Sequence, residues 1–133
     1  FYNVYGSNQI KQHFMSAVIG IFENQYRNNK PLTVVKPGNQ KRDFTHVDDI
    51  VKGTILAALK GKKTEYQLGS GRNYKLIDVA KMFKTKIKMI SERKGERFSS
   101  LSDFTKAKKD LGYVPSCDLE KYIKNFLKNN PKK

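Results

Sequence analysis

Arginines placed close to acidic side chains are the residues of this sequence best suited to bind an anion. Arg42 precedes Asp43 just ahead of a predicted helix start, and Arg93 and Glu96 belong to a polar loop over 91–100. A guanidinium group can bind a diphosphate through two parallel hydrogen bonds, and we expect Asp43 to hold Arg42 in orientation. The alternatives are a surface ion pair worth under about 1 kcal/mol and an ordinary solvated loop.

Two glycines, Gly69 and Gly71, follow a predicted strand and precede a predicted helix. The dinucleotide fingerprint G-x-G-x-x-G would require a third glycine where the chain has Tyr74. We therefore interpret the segment as a tight turn that uses the freedom of glycine at positive φ. A phosphate-binding loop is the less favoured alternative.

A group of potential metal ligands, His46, Asp48 and Asp49, is better explained as a helix start. Thr45 with Asp48 three residues later is a capping signal, and acidic residues suit the positive end of the helix dipole. Cys117 has no histidine close in sequence and is expected to be inert. The sequence therefore predicts no metal site.

Apolar periodicity and turn residues predict short strands that alternate with helices, which is typical of an α/β fold. The predicted strands cover residues 1–6, 32–35, 65–69 and 87–90. The predicted helices cover residues 14–26, 47–60, 76–83, 105–111 and 119–128. These strands are few for an independent doubly wound sheet, so we expect this chain to be a lobe that packs beside another domain.

Composition allows one domain and leaves the meaning of the charge open. The 133 residues are 38% apolar, enough for a single core. The 27 basic and 12 acidic residues give a net charge of +15, which suits either a polyanion-binding protein or a lysine-rich surface. The excess is spread along the chain and includes only five arginines, which favours the surface. No apolar run is long enough to span a membrane, and the single cysteine favours a reducing compartment, so we expect a cytoplasmic location.

Six motifs occur in an order and spacing that together resemble one family. They are YNVYG at 2–6, PLTV at 31–34, RDFTHVDD at 42–49, YQLGSG at 66–71, RKGE at 93–96 and KAKKDLGYVP at 106–115. The chain resembles the C-terminal part of the extended short-chain dehydrogenase/reductases that act on nucleotide sugars, closest to UDP-glucose 4-epimerases. The motifs are much less specific for the particular sugar.

The resemblance implies a substrate-binding lobe, a single C-terminal domain over 1–133, that packs beside an NAD-binding Rossmann domain. It implies that Asn3 holds the sugar-diphosphate region and that Arg42 pairs with the diphosphate. It also implies that Arg93 and Glu96 address the diphosphate and the ribose of the nucleotide. The other implied site residues are Val18, Phe22 and Val35 at the base pocket, and Tyr2 near the nicotinamide of the cofactor.

The resemblance also implies what the chain should lack. The glycine-rich NAD motif and the catalytic Tyr-x-x-x-Lys of this family lie upstream of the segment that Phe1 begins. We therefore expect NAD in a full-length enzyme, no NAD binding by this chain alone, and no catalytic residue within it. Lys75 stands where a Ser or Thr usually caps the next helix, and lysine cannot accept a bond from the free amides.

The resulting hypothesis is the nucleotide-sugar-binding part of an NAD-dependent epimerase, of the UDP-glucose/UDP-galactose type, inactive without its cofactor half. The same lobe of an NDP-sugar 4,6-dehydratase or decarboxylase is the alternative within the class. A basic nucleic-acid-binding module and a protein-interaction remnant are the alternatives from other classes. We also expect exposed apolar surface, unpaired strand edges and self-association.

Overall fold

A computed structural model describes residues 1–10 and 16–132. Within these ranges, six short strands and five helices form the expected α/β fold. The strands are β1 (Val4–Tyr5), β2 (Leu32–Val35), β3 (Lys41–Asp43), β4 (Thr45–His46), β5 (Asn73–Lys75) and β6 (Ile87–Ile90). The helices are α1 (Val18–Arg27), α2 (Val47–Lys60), α3 (Leu76–Met82), α4 (Thr105–Leu111) and α5 (Leu119–Asn129).

The strands pair as three two-stranded sheets. β1 pairs with β4 and β2 with β6, both in parallel, whereas β3 and β5 are antiparallel. Backbone bonds also join β3 to the segment after β6: the Lys41 N–H donates to Phe98 O at 2.8 Å, and the Ser100 N–H donates to Lys41 O at 3.0 Å. These bonds hold the loop over 91–99 beside β3.

Aromatic rings from three helical regions form the larger of two hydrophobic cores. Phe22 and Tyr26 of α1, Phe83 after α3 and Phe126 of α5 pack with ring centroids 5.8 to 6.3 Å apart. Most of these pairs have the edge-to-face arrangement that the ring quadrupole favours. The core fixes α1 beside β2, and these two elements form one wall of the cavity described below.

A smaller core joins α2 to α4 and shows why the strand predicted over 65–69 is wrong. The segment pairs with no strand in the described ranges and is held by side chains instead. Leu68 is 3% exposed, and the buried Tyr113 hydroxyl donates to Gly69 O at 3.0 Å. Burial raises the pKa of Tyr113 to about 12.

The helix starts differ from the predictions in informative ways. α1 begins at Val18, and the predicted start at 14 lies outside the described residues. Thr45 is not the cap of α2, because it is fully buried in β4; the cap is His46, whose Nδ1 accepts from the Asp48 N–H at 3.2 Å. Lys75 precedes α3 without a side-chain capping bond, as predicted. The predicted helices over 47–60, 76–83, 105–111 and 119–128 are confirmed to within one residue.

Within the described ranges, no helix combines the length and the apolar character of a membrane span.

Candidate functional site

A cavity of about 180 Å³ brings together all seven residues predicted to bind substrate. The predicted residues that line it are Asn3, Val18, Phe22, Val35, Arg42, Arg93 and Glu96. Its apolar wall comes from α1 and β2, whereas its charged side chains come from β3 and the loop over 91–99. Sequence reasoning missed several lining residues, among them Ile21 and Ile90, because they lie outside the recognised motifs and carry no chemical signal.

Two contacts hold the Arg42 guanidinium group in this cavity. Its side chain is only 12% exposed, and its Nη2 lies 2.5 Å from Glu96 Oε1. Its Nη1 also donates to the backbone oxygen of Lys41 at 2.9 Å. The guanidinium group is therefore fixed from two sides, with one carboxylate partner that an incoming anion could displace.

The prediction that Asp43 orients Arg42 is wrong. Successive side chains of a strand point to opposite faces, and these two residues are neighbours on β3. Asp43 is 0% exposed and faces the loops over 69–71 and 100–102 instead. Glu96, 54 positions further along the chain, is the partner of Arg42.

Asp43 anchors the glycine turn. Its Oδ1 accepts from the Ser70 N–H at 2.9 Å and the Ser70 hydroxyl at 2.5 Å. Its Oδ2 accepts from the N–H groups of Gly71 and Ser102, each at 3.0 Å, and from the Ser102 hydroxyl at 2.6 Å. Gly71 has φ of +70°, which confirms the predicted turn. The amides that a phosphate-binding loop would present are thus already bonded to a buried carboxylate.

Asn3 connects the first cavity with a second one of about 560 Å³. Its Nδ2 donates to Asp43 O at 2.9 Å and to Ser100 Oγ at 3.3 Å. Asn3 and Arg42 line both cavities, whereas Tyr2, the predicted cofactor contact, lines only the second. The Tyr2 hydroxyl donates to Gln67 Oε1 at 2.7 Å.

The predicted helix-start residues lie near Cys117 without forming an evident metal site. Ligand atoms of His46, Asp48 and Cys117 lie within 4.8 Å of one another. However, the His46 Nδ1 lone pair already caps α2. Burial, together with the nearby Asp49 carboxylate, raises the pKa of the Cys117 thiol and so disfavours the thiolate that a metal would need. We assign these side chains a structural role.

One pair matches the catalytic spacing Tyr-x-x-x-Lys, namely Tyr26 and Lys30, and sequence analysis gave it no role. Tyr26 is 8% exposed and packs against Phe83 and Phe126 in the larger core. It is not among the residues that line either of the two cavities. The geometry gives this pair no access to a ligand bound at Arg42.

Comparison with known proteins identifies the family. The profile of the NAD dependent epimerase/dehydratase family matches residues 1–69. A relative from Methanocaldococcus jannaschii is 32% identical over 96% of this chain, and UDP-glucose 4-epimerase from Dictyostelium discoideum is 36% identical over 72%. The structure of UDP-glucose 4-epimerase from Thermotoga maritima with UDP-glucose superimposes with a TM-score of 0.86, at 28% identity over 98% of this chain.

The chain therefore belongs to the NAD dependent epimerase/dehydratase family. Its relatives among nucleotide-sugar epimerases place it in the extended short-chain dehydrogenase/reductase group that its motifs resemble. It spans 44% of the length of the Methanocaldococcus jannaschii relative, 29% of the Dictyostelium discoideum enzyme and 45% of the Thermotoga maritima structure.

Proposed function

We propose that this chain is a substrate-binding domain, over 1–133, that holds a nucleotide sugar for an NAD-dependent epimerase of the UDP-glucose/UDP-galactose type. The observation that carries the proposal is the cavity in which Asn3, Arg42, Arg93 and Glu96 meet an apolar wall. An anionic diphosphate next to a flat, largely apolar base requires this combination of donors and apolar surface.

The diphosphate is proposed to bind at Arg42 by displacing Glu96. A diphosphate offers a guanidinium group more negative charge than one carboxylate, and the freed Glu96 can then accept from a ribose hydroxyl. Arg93 lines the same cavity and supplies a second cation. Val18 and Val35 are half-buried and present apolar surface to the base, while Phe22 is fully buried and supports the wall from behind.

Epimerisation and NAD binding are proposed for a full-length enzyme and not for this chain alone. In that enzyme Tyr2 would contact the nicotinamide from the second cavity. NAD, when bound, supplies the hydride acceptor of the reaction; the residues of this chain only bind and orient the substrate. Measurable 4-epimerase turnover by the purified chain with added NAD would contradict this proposal.

Self-association is proposed to involve an apolar face of α2. Val47, Val51, Ile55 and Leu59 recur every four residues and are 39 to 76% exposed. Residues four apart lie on one face of a helix, so they form a stripe that water does not solvate favourably. A second copy of this chain is the occupant we propose for the isolated protein.

Each alternative predicts a different observation. An NDP-sugar 4,6-dehydratase or decarboxylase would differ in active-site residues that this chain is expected to lack. A nucleic-acid-binding module would show binding to a DNA duplex that weakens steeply with salt. The cytoplasmic location stays a prediction.

The proposed function is tested by calorimetric titration of UDP and UDP-glucose into the wild-type chain, Arg42→Gln and Arg72→Gln. Arg72 is the matched control, because its side chain is 72% exposed and pairs with Asp118 away from both cavities. We expect Arg42→Gln to weaken UDP binding about tenfold through loss of charge-assisted hydrogen bonds, and Arg72→Gln to change it less than about twofold. Equal effects of the two substitutions, or no binding of UDP to the wild type, would refute the proposal.

A further inference from the structure

One polar side chain interrupts the apolar wall of the first cavity. Of the residues that α1 and β2, both within the described ranges, contribute to its lining, only Thr33 has a polar side chain. Alternate residues of a strand share a face, so Thr33 lies on the same face of β2 as Val35, which is proposed to contact the base. A nucleobase on this wall therefore meets one hydroxyl group among apolar side chains.

Gln25 of α1 binds Thr33 through two hydrogen bonds. The Thr33 N–H donates to Gln25 Oε1 at 3.0 Å, and Gln25 Nε2 donates to Thr33 Oγ1 at 2.8 Å. A backbone N–H can only donate, so the first bond fixes the orientation of the carboxamide and directs its NH2 to the hydroxyl oxygen. Gln25 is not among the residues that line either cavity.

The bond from Gln25 determines what the Thr33 hydroxyl group offers to a ligand. Its oxygen already accepts one hydrogen bond, whereas its proton has no acceptor in the part of the chain that the structure describes. Accepting a bond polarises a hydroxyl group and strengthens it as a donor. Thr33 therefore has a proton to present to the cavity.

We propose that Gln25 is a positioning residue that holds the Thr33 hydroxyl group as a donor to the C4 carbonyl of uracil. The C4 oxygen is the uracil acceptor further from the ribose, since the C2 oxygen lies beside the glycosidic bond. Cytosine carries an amino group at C4, so two donors would face each other and both would stay unpaired. Because an unpaired donor keeps its desolvation cost, this pair of residues favours UDP over CDP.

This inference rests on the proposed function, and calorimetric titration of UDP and CDP separates the two. We expect the wild-type chain to bind UDP about tenfold more tightly than CDP, which is the effect of one mismatched hydrogen bond. Thr33→Val keeps the shape of the side chain without its hydroxyl group and should bring the two affinities within about twofold. Thr54→Val is the control and should keep the tenfold ratio, because the Thr54 hydroxyl donates to Ile50 O on α2 and lines neither cavity.

Gln25→Glu tests the role of Gln25 directly. A carboxylate still accepts from the Thr33 N–H, but it also accepts from the Thr33 hydroxyl group, which turns the proton away from the cavity and leaves a lone pair facing the base. We expect this variant to bind CDP about threefold more tightly than UDP, because the C4 amino group of cytosine donates. Asn24→Asp adds the same charge one position earlier on α1 and should keep the preference for UDP.

Two results would overturn the inference while leaving nucleotide binding intact. One is equal affinity of the wild type for UDP and CDP. The other is a tenfold preference for UDP that persists in Thr33→Val or in Gln25→Glu, which would show that Gln25 only joins α1 to β2. No binding of UDP to the wild type would overturn the proposed function, and this inference with it. Circular dichroism of each variant confirms that the fold is retained.

Discussion

Replacing Asp43 with asparagine removes the charge from the best-bonded buried carboxylate of the described chain while keeping its shape. An amide group in its place must turn its NH2 toward the Ser70 N–H or toward the N–H groups of Gly71 and Ser102. The less damaging orientation turns the NH2 toward Ser70 only, because the Ser70 hydroxyl can rotate to accept a hydrogen bond from it. At least one N–H therefore loses its partner in either orientation: the part-buried one of Ser70 or the buried one of Ser102.

The expected cost follows from these bonds. One unsatisfied backbone N–H costs about 1–3 kcal/mol, and the surviving bonds lose the contribution of the ionised acceptor. Removing a buried charge recovers part of its desolvation cost, so we expect a net loss of about 3 kcal/mol. For a chain of this length that corresponds to a fall in Tm of about 10 °C.

Urea unfolding and thermal unfolding, both followed by circular dichroism, measure this loss. Glu65→Gln is the control, because it removes the same charge from an exposed side chain and should change stability by less than about 0.5 kcal/mol. If Asp43→Asn is destabilised no more than Glu65→Gln, the carboxylate does not anchor the turn over 69–71. The reasoning about that turn would then be wrong.

The remaining predictions concern the surface of α2 and the thiol of Cys117. Ile55→Lys should reduce self-association in light scattering, because it places a charge in the apolar stripe. The control Val114→Lys, at another exposed apolar position, should leave self-association unchanged. Equal effects of the two substitutions would contradict the assignment to α2. Alkylation of Cys117 by iodoacetamide should reach half its maximal rate at a higher pH in the folded chain than in urea, because burial raises the pKa of the folded thiol. Since the thiol holds its proton more tightly in the folded state than in the unfolded state, the free energy of unfolding should fall as pH rises above the ordinary thiol pKa. Equal alkylation profiles in the folded and unfolded chain would contradict the burial argument.

Local patterns predicted the helices, but β3 and β5 left no readable pattern. Apolar periodicity located the helices because each buries one face. β3 and β5 have three residues each, too few to display an alternation. Missing β3 also caused the wrong pairing of Arg42, because residues 42 and 43 face opposite sides only once they are recognised as a strand.

The motif resemblance predicted residues that meet in the first cavity although they lie up to 93 positions apart in sequence, from Asn3 to Glu96. It could not find contacts that no motif includes. The Ser102 hydroxyl meets the carboxylate of Asp43 across 59 positions, and both are ordinary polar residues in sequence. Arg97 was passed over for a related reason. It directly follows the motif over 93–96 without belonging to it, and its positive charge does not distinguish it from the many lysines of the sequence.

The net charge of +15 acquires a more specific meaning once individual arginines are placed. Arg72 pairs with Asp118, and Arg27 Nε donates to Asn130 Oδ1, so these two stabilise the surface. Arg42, Arg93 and Arg97 line the two cavities instead.

The surrounding lysines raise the rate at which any anion arrives, so salt sensitivity by itself does not distinguish a nucleotide sugar from a nucleic acid. The slope of the logarithm of the binding constant against the logarithm of the salt concentration does distinguish them. A small ligand can release only a few counterions, whereas a duplex loses affinity with a slope of about −0.9 for each phosphate contacted. A shallow slope for UDP that becomes shallower still in Arg42→Gln, and stays unchanged in Arg72→Gln, is the result that the cavity geometry requires.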